Sequence, residues 1–362
     1  VSDLTIGLLS ALLATNQPQA VSNVIQQQTG VAVDIAADPA EKELRSVMMA
    51  DDAAQDEVTE WLHTFDAQPQ TNKTREAAIE LNQRIRARFE LVRTAYGRFL
   101  RSHPDSARGY LAYGSFLNDI GDEEGAHIQY ENSKQLDPSD PAVWNNLANY
   151  YGEFSPVTKA FSYYEQAIKL KPDEPVYYRN FATTVFLFRK DAREYYHLDE
   201  QQVFDKALAL YRQSMQLDPE NFLFATDYAN SYYGIKPLRT NDALVAWTNA
   251  LNLAHTDDER EGVDIHLARV KIAAGLYSEA SNHLASVTNY AFLDMKKRLY
   301  QSLLDHKNPS TNTTDTVEHA EPTLLEKVPP LDISHLHVST NEPDLATNLL
   351  VAPLPLRPQK PQ

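Results

Sequence analysis

Apolar residues recur at intervals of three to four through most of the chain between about residues 39 and 306, the spacing of helices that bury one stripe. Trp144, Leu147 and Tyr151 fall on one such stripe, and Ala160 and Tyr164 follow on a second. Tyr110, Tyr113 and Leu117, then Ala126 and Tyr130, repeat the arrangement upstream. Tyr178, Phe181 and Val185, then Ala207 and Tyr211, repeat it downstream. Pro104, Pro138 and Pro172 fall 34 residues apart, each where a second helix must stop. The next proline in phase, Pro219, comes 47 residues on, so 13 extra residues lie between Val185 and Ala207, in the stretch FLFRKDAREYYHLDEQQVFDK.

Small residues hold fixed places in these units. Gly114, Ala148 and Ala182 sit on the first helix, and Ala126, Ala160 and Ala207 on the second, where two helices must approach closely. The tyrosine four residues later fills the space this leaves. Three such units in phase resemble the tetratricopeptide repeat, a 34-residue helix–turn–helix. Weaker units flank them. Residues 222–255 carry Tyr228, Ala229, Tyr232, Ala243 and Trp247, with a two-residue insertion around Lys236 and Pro237. Residues 261–290 carry Leu267, Ala268, Gly275, Ala280 and Leu284, and 290–306 reads as a terminal capping helix. Residues 74–103 read as a degenerate first unit or a capping hairpin.

The resemblance spans about residues 74–306. It implies an all-α, tetratricopeptide-type helical solenoid of about four to six repeats whose first helices line a concave groove. It also implies binding to proteins or peptides without chemistry. Three regions are expected: an N-terminal arm and acidic helix (1–73), the repeats with an insertion near 189–203 (74–306), and an extended proline-rich tail (307–362).

Positions between the packing stripes of the first helices are expected to face the groove. They are Asn145, Asn149, Arg179, Thr183, Thr226, Asn230 and Arg269. Asparagine offers a donor and an acceptor to an extended backbone, and arginine can grip a carboxylate. Some members of the family clamp a C-terminal carboxylate with lysine, arginine and asparagine, but here the lysines of that set are missing. In the insertion, Tyr195 and Tyr196 are read either as packing residues of an extended helix pair or as a clip that touches a partner.

The ends differ from the middle. Asp38 and Pro39 start a helix expected to run to about Phe65, rich in Glu and Asp. The next helical stretch is rich in Arg, which suits a charge-complementary hairpin or a contact between chains. LTIGLLSALLA, residues 4–14, is too short to span a bilayer and has the length of a signal-peptide core, so an exported protein is one expectation and a cytoplasmic one the other. The tail holds nine of the chain's 20 prolines, yet also 13 Leu, Ile or Val residues between Pro322 and Leu356. An extended strand of this kind suits docking through Leu324, Leu325, Ile333, Leu349, Leu350 and Val351.

A formal charge of −17 argues against nucleic acid and anionic lipid as partners. There is no cysteine, which excludes disulfides and thiolate chemistry. No nucleophile elbow, zinc-helix motif, phosphate loop or dinucleotide glycine pattern occurs, so no catalytic residue, cofactor or metal is assigned. His335 and His337 have metal-compatible spacing but imply no third ligand. Two functions remain: self-assembly head-to-tail through the terminal arms, or a monomeric adaptor that binds an extended peptide of another protein.

Overall fold

The computed structural model describes residues 39–307, and every regular element among them is a helix. The N-terminal arm, the tail-docking residues Leu324, Leu325, Ile333, Leu349, Leu350 and Val351, and the His335–His337 pair lie outside the described residues. The chain divides into two units after Ser139.

Unit 1 contains α1 (Pro39–Asp66), α2 (Arg75–Ser102), α3 (Ala107–Asp119) and α4 (Glu123–Leu136). Leu44, Val47, Ala54 and Val58 are the buried stripe of α1, and Val92, Tyr96 and Phe99 that of α2. The acidic and basic helices do pair within the chain. Glu57 meets Arg88 at 2.8 Å, Glu43 meets His103 at 3.0 Å, and Arg84 lies 3.7 Å over the Trp61 ring. Glu41 reaches Arg108 of α3 at 2.5 Å. Exposed pairs of this kind contribute about 0–1 kcal/mol each, so the buried stripe holds the hairpin and the charges set its register. Thr74, Ser106 and Asp122 cap α2, α3 and α4 by accepting from backbone N–H groups.

Gly114 shows why the small positions exist. A Cβ added there would lie 2.6 Å from the Tyr130 ring, so only a missing side chain lets α3 and α4 close on that tyrosine.

Unit 2 contains α5 (Pro141–Phe154), α6 (Val157–Leu170), α7 (Pro175–Leu187), α8 (Arg189–Tyr196), α9 (Glu200–Leu217), α10 (Phe222–Ser231), α11 (Thr240–Leu253), α12 (Asp257–Ala273), α13 (Tyr277–Ser286) and α14 (Leu293–Lys307). The pairs α5/α6, α7/α9, α10/α11 and α12/α13 are the repeats, and α14 follows as a final helix. Ala148, Ala160, Ala182 and Ala207 are all fully buried. The extra residues near Lys236 follow a short 3₁₀ turn, Tyr232–Gly234, between α10 and α11. α14 buries Leu299 and Leu303 against Ile265, Ala268, Ala280 and Leu284 of the last repeat, as a cap over an apolar end should.

The 13-residue insertion makes one additional helix and lengthens another. α8 is its eight-residue helix, and α9 runs 18 residues where α6 runs 14. A capping box starts α9, with Asp199 accepting from Gln202 N–H and the Gln202 side chain accepting from Asp199 N–H.

Candidate functional site

The first helices of unit 2 carry the polar side chains that a groove reading requires, and most of these side chains bond to one another. Asn145 is fully buried. Its Nδ2 donates to Asn146 Oδ1 at 3.3 Å, and its Oδ1 accepts from Asn180 Nδ2 at 3.1 Å. α5 is thereby tied to α7. Arg179 Nε donates to Asp227 Oδ2 at 2.6 Å, which ties α7 to α10. The two side chains are only 9% and 15% exposed. Burial raises the Asp227 carboxyl above its ordinary range, and the Arg179 charge and hydrogen bond oppose that rise.

A second set of bonds runs within each repeat. The Tyr164 hydroxyl donates to Asn149 Oδ1 at 2.7 Å, across 15 residues. Tyr211 and Thr183 share a 2.8 Å hydrogen bond across 28 residues, which is 15 plus the 13 inserted. In unit 1 Tyr130 is bonded to Ser115 in the same way. The buried tyrosine of the second helix thus finds a polar partner on its own first helix, as a buried hydroxyl must.

These bonds correct part of the sequence reading. Asn145 does not face an open groove, because its amide satisfies the α5–α7 seam. Arg179 is not an open carboxylate grip, because Asp227 already occupies it. Asn149 and Thr183 are half-buried anchors for tyrosine hydroxyls. Thr226 donates to its own helix at Leu223 O, 2.9 Å away, and Asn230 is half-buried nearby. Arg269 lies 4.1 Å over the Tyr233 ring. Tyr233 OH sits 3.2 Å from His266 Nδ1, and the His266 ring stacks on Trp247 at 4.2 Å and 2°. Burial, then the Arg269 charge, lower His266 to about 3, so it stays neutral.

Sequence reasoning missed Asp227, Asn180 and His266. A signal was present for Asp227: it is the acid beside Thr226 on the first helix of the repeat after that of Arg179. Asn180 Oδ1 is buried with no hydrogen-bond partner, a further sign that this seam is polar and tight.

Tyr195 and Tyr196 pack on the preceding repeat. Their rings lie 5.4 and 5.6 Å from that of Phe161 on α6, and Tyr196 OH donates to Glu165 at 2.8 Å. Lys206 lies 4.0 Å over Tyr196. Tyr195 remains 38% exposed, so α8 both covers Phe161 and offers one ring edge to solvent.

Among the described residues, no group of three or more His, Asp or Glu is arranged to hold a metal ion, and no helix is long and apolar enough to cross a membrane. Small-residue helix pairs with a capping helix and an in-phase tyrosine rung define a protein of the all-α helical-repeat class. Within that class, the tetratricopeptide-repeat family model matches residues 141–174, the α5–α6 pair. Similar solved structures include PilW, described as a widely conserved type IV pilus biogenesis factor, at 14% identity over 65% of this chain and 100% of that one, with a TM-score of 0.46. YrrB, described as a tetratricopeptide protein with an unusual peptide-binding site, is 13% identical over 59% of this chain and 98% of its own, with a TM-score of 0.43. MamA is 20% identical over 48% and 92%, with a TM-score of 0.38. No curated protein matches the chain. The tetratricopeptide fold suggests a protein-interaction scaffold.

Proposed function

We propose that the chain is a non-catalytic scaffold that assembles with copies of itself, the apolar tail of one copy lying extended against the first helices of unit 2 of another. The observation that carries this reading is the Arg179–Asp227 pair. It engages the Arg179 charge that a carboxylate-ended peptide could use and leaves an internally braced face there. Thr183, Thr226 and Asn230 remain half-buried there, with Asn149 beside them. Such a face fits a proline-punctuated segment rich in Leu, Ile and Val better than an acidic one. Pre-bonded side chains lose little entropy on binding, which favours association. A monomeric adaptor for another protein's extended segment is the competing outcome.

Truncation after Lys307, read by sedimentation over a range of concentrations, separates the two. Full-length protein should associate as concentration rises, and the truncated chain should not. A synthetic peptide of residues 320–356 should bind the truncated chain. Added salt should strengthen association, because the charge of −17 repels like copies until it is screened. If both chains stay monomeric at high concentration, self-assembly through the tail is wrong.

A further inference from the structure

The tyrosine rung has one member unlike the rest. Ser115, Asn149 and Thr183 meet their tyrosines with neutral groups, whereas in the α1–α2 hairpin the partner is a carboxylate. Tyr96, 1% exposed, donates to Asp51 Oδ2 at 2.9 Å, and Gln55 Nε2 lies 3.5 Å from Asp51 Oδ1. Among the described residues no cation forms an ion pair with Asp51.

The groups around it are acidic or already engaged. On α1, Asp52 is adjacent and adds its charge. On α2, Arg93 is held by Asp122 at 2.8 Å and by Glu90 at 3.7 Å. On α3, Tyr113 stacks on Tyr96 at 5.2 Å, and the Asp119 carboxyl lies close enough for the Asp51 charge to raise it. Burial, then the Asp51 charge, pushes Asp119 up to about 7, although the residue as a whole is exposed. Burial pushes Asp51 up to about 6, against the opposing bonds from Tyr96 and Gln55.

We propose that Asp51 makes the seating of α1 on α2 and α3 pH-responsive, tight when Asp51 is protonated and loosened when it is ionised. Protonation removes a negative charge from between Asp52 and Asp119 and still leaves an oxygen to accept from Tyr96. Because the folded state favours the protonated acid, α1 gains docking free energy below the raised value and loses it as pH climbs from about 4 through about 6.

Hydrogen exchange of peptides from α1 in the full-length chain, corrected for the intrinsic pH dependence of exchange, tests this. Between pH 5.0 and 7.5 the opening equilibrium of α1 should rise by about five- to tenfold, the change that linkage gives for a shift of this size with partial solvent screening. His103 also meets Glu43 of α1 at 3.0 Å, so the deciding readout is the variant. Asp51→Asn should remove a clear part of the wild-type pH dependence, and Asp119→Asn, which leaves Asp51 in place, should keep a clear part of it. Asp51→Ser, which installs the neutral hydroxyl that Ser115 supplies in the next repeat, is the second variant in case Asn does not fold. His103→Gln should leave most of the pH dependence in place. The proposal is overturned if wild-type protection is flat or falls in acid. It is also overturned if the Asp51 variants keep the wild-type pH dependence.

Discussion

Replacing Arg179 by alanine is the sharpest probe of how the repeats of unit 2 are joined. The guanidinium and the Asp227 carboxylate meet at 2.6 Å with 9% and 15% side-chain exposure, so water screens little of their attraction. Burial already raises the Asp227 carboxyl with the arginine present. Removing the cation leaves a buried, unpaired carboxylate, and breaking such a pair costs about 3–5 kcal/mol. Asp227 can escape part of that penalty by taking a proton, at about 1.4 kcal/mol for each pH unit between its new value and the solvent. The loss should therefore be largest near pH 8 and shrink as pH falls, because the variant's folded state binds the proton more tightly than its unfolded state. Urea unfolding at pH 7.5 and pH 5.0 measures both parts. The double variant Arg179→Met with Asp227→Leu should be less destabilised than Arg179→Ala alone, since two apolar groups leave no orphan charge. An Arg179→Ala chain within about 0.5 kcal/mol of wild type at pH 7.5, the range of ordinary surface changes, would refute the reasoning. So would a double variant as unstable as the single.

Gly114→Ala should destabilise unit 1 by about 1–3 kcal/mol, because its Cβ would meet the Tyr130 ring at 2.6 Å; a thermal melt unchanged from wild type would argue against the close-approach explanation. Deleting residues 190–202 returns the repeat to 34 residues and should leave it helical by circular dichroism, but with a lower melting temperature, because α8 no longer covers the fully buried Phe161. Loss of all helical signal would mean that α8 is required for the repeat to form. Asn230→Ala should weaken binding of the 320–356 peptide by about 1 kcal/mol with no change in the melt. Asn149→Ala should also lower stability, since it removes the acceptor of the Tyr164 hydroxyl and leaves that oxygen only its bond from Thr184; equal behaviour of the two variants in both assays would contradict the assignment of Asn149 as an anchor.

The helices were legible because their signals are local. A stripe of Trp144, Leu147 and Tyr151, a proline at 34-residue spacing and a small residue at each crossing are read from one unit at a time. The inner face was less legible because its polar groups answer to neighbouring repeats. From the periodicity alone, Arg179 and Asn145 sit between packing stripes, where solvent or a ligand is expected. Whether such a side chain is open depends on what the next repeat brings opposite it, and here that is Asp227 and Asn180. The tyrosine rung lay between these cases. A polar residue 15 before each in-phase tyrosine is visible at Ser115 and Asn149, and once the insertion is subtracted, the 28 residues from Thr183 to Tyr211 fall into line. Asp51 escaped because the α1–α2 hairpin keeps no such phase: its rung spans 45 residues. The turn between two 28-residue helices is free to vary in length, whereas the contact between α1 and the tyrosine of α2 is not. Chemistry at that rung can therefore change from a neutral group to an acid without disturbing the pattern that announces the fold.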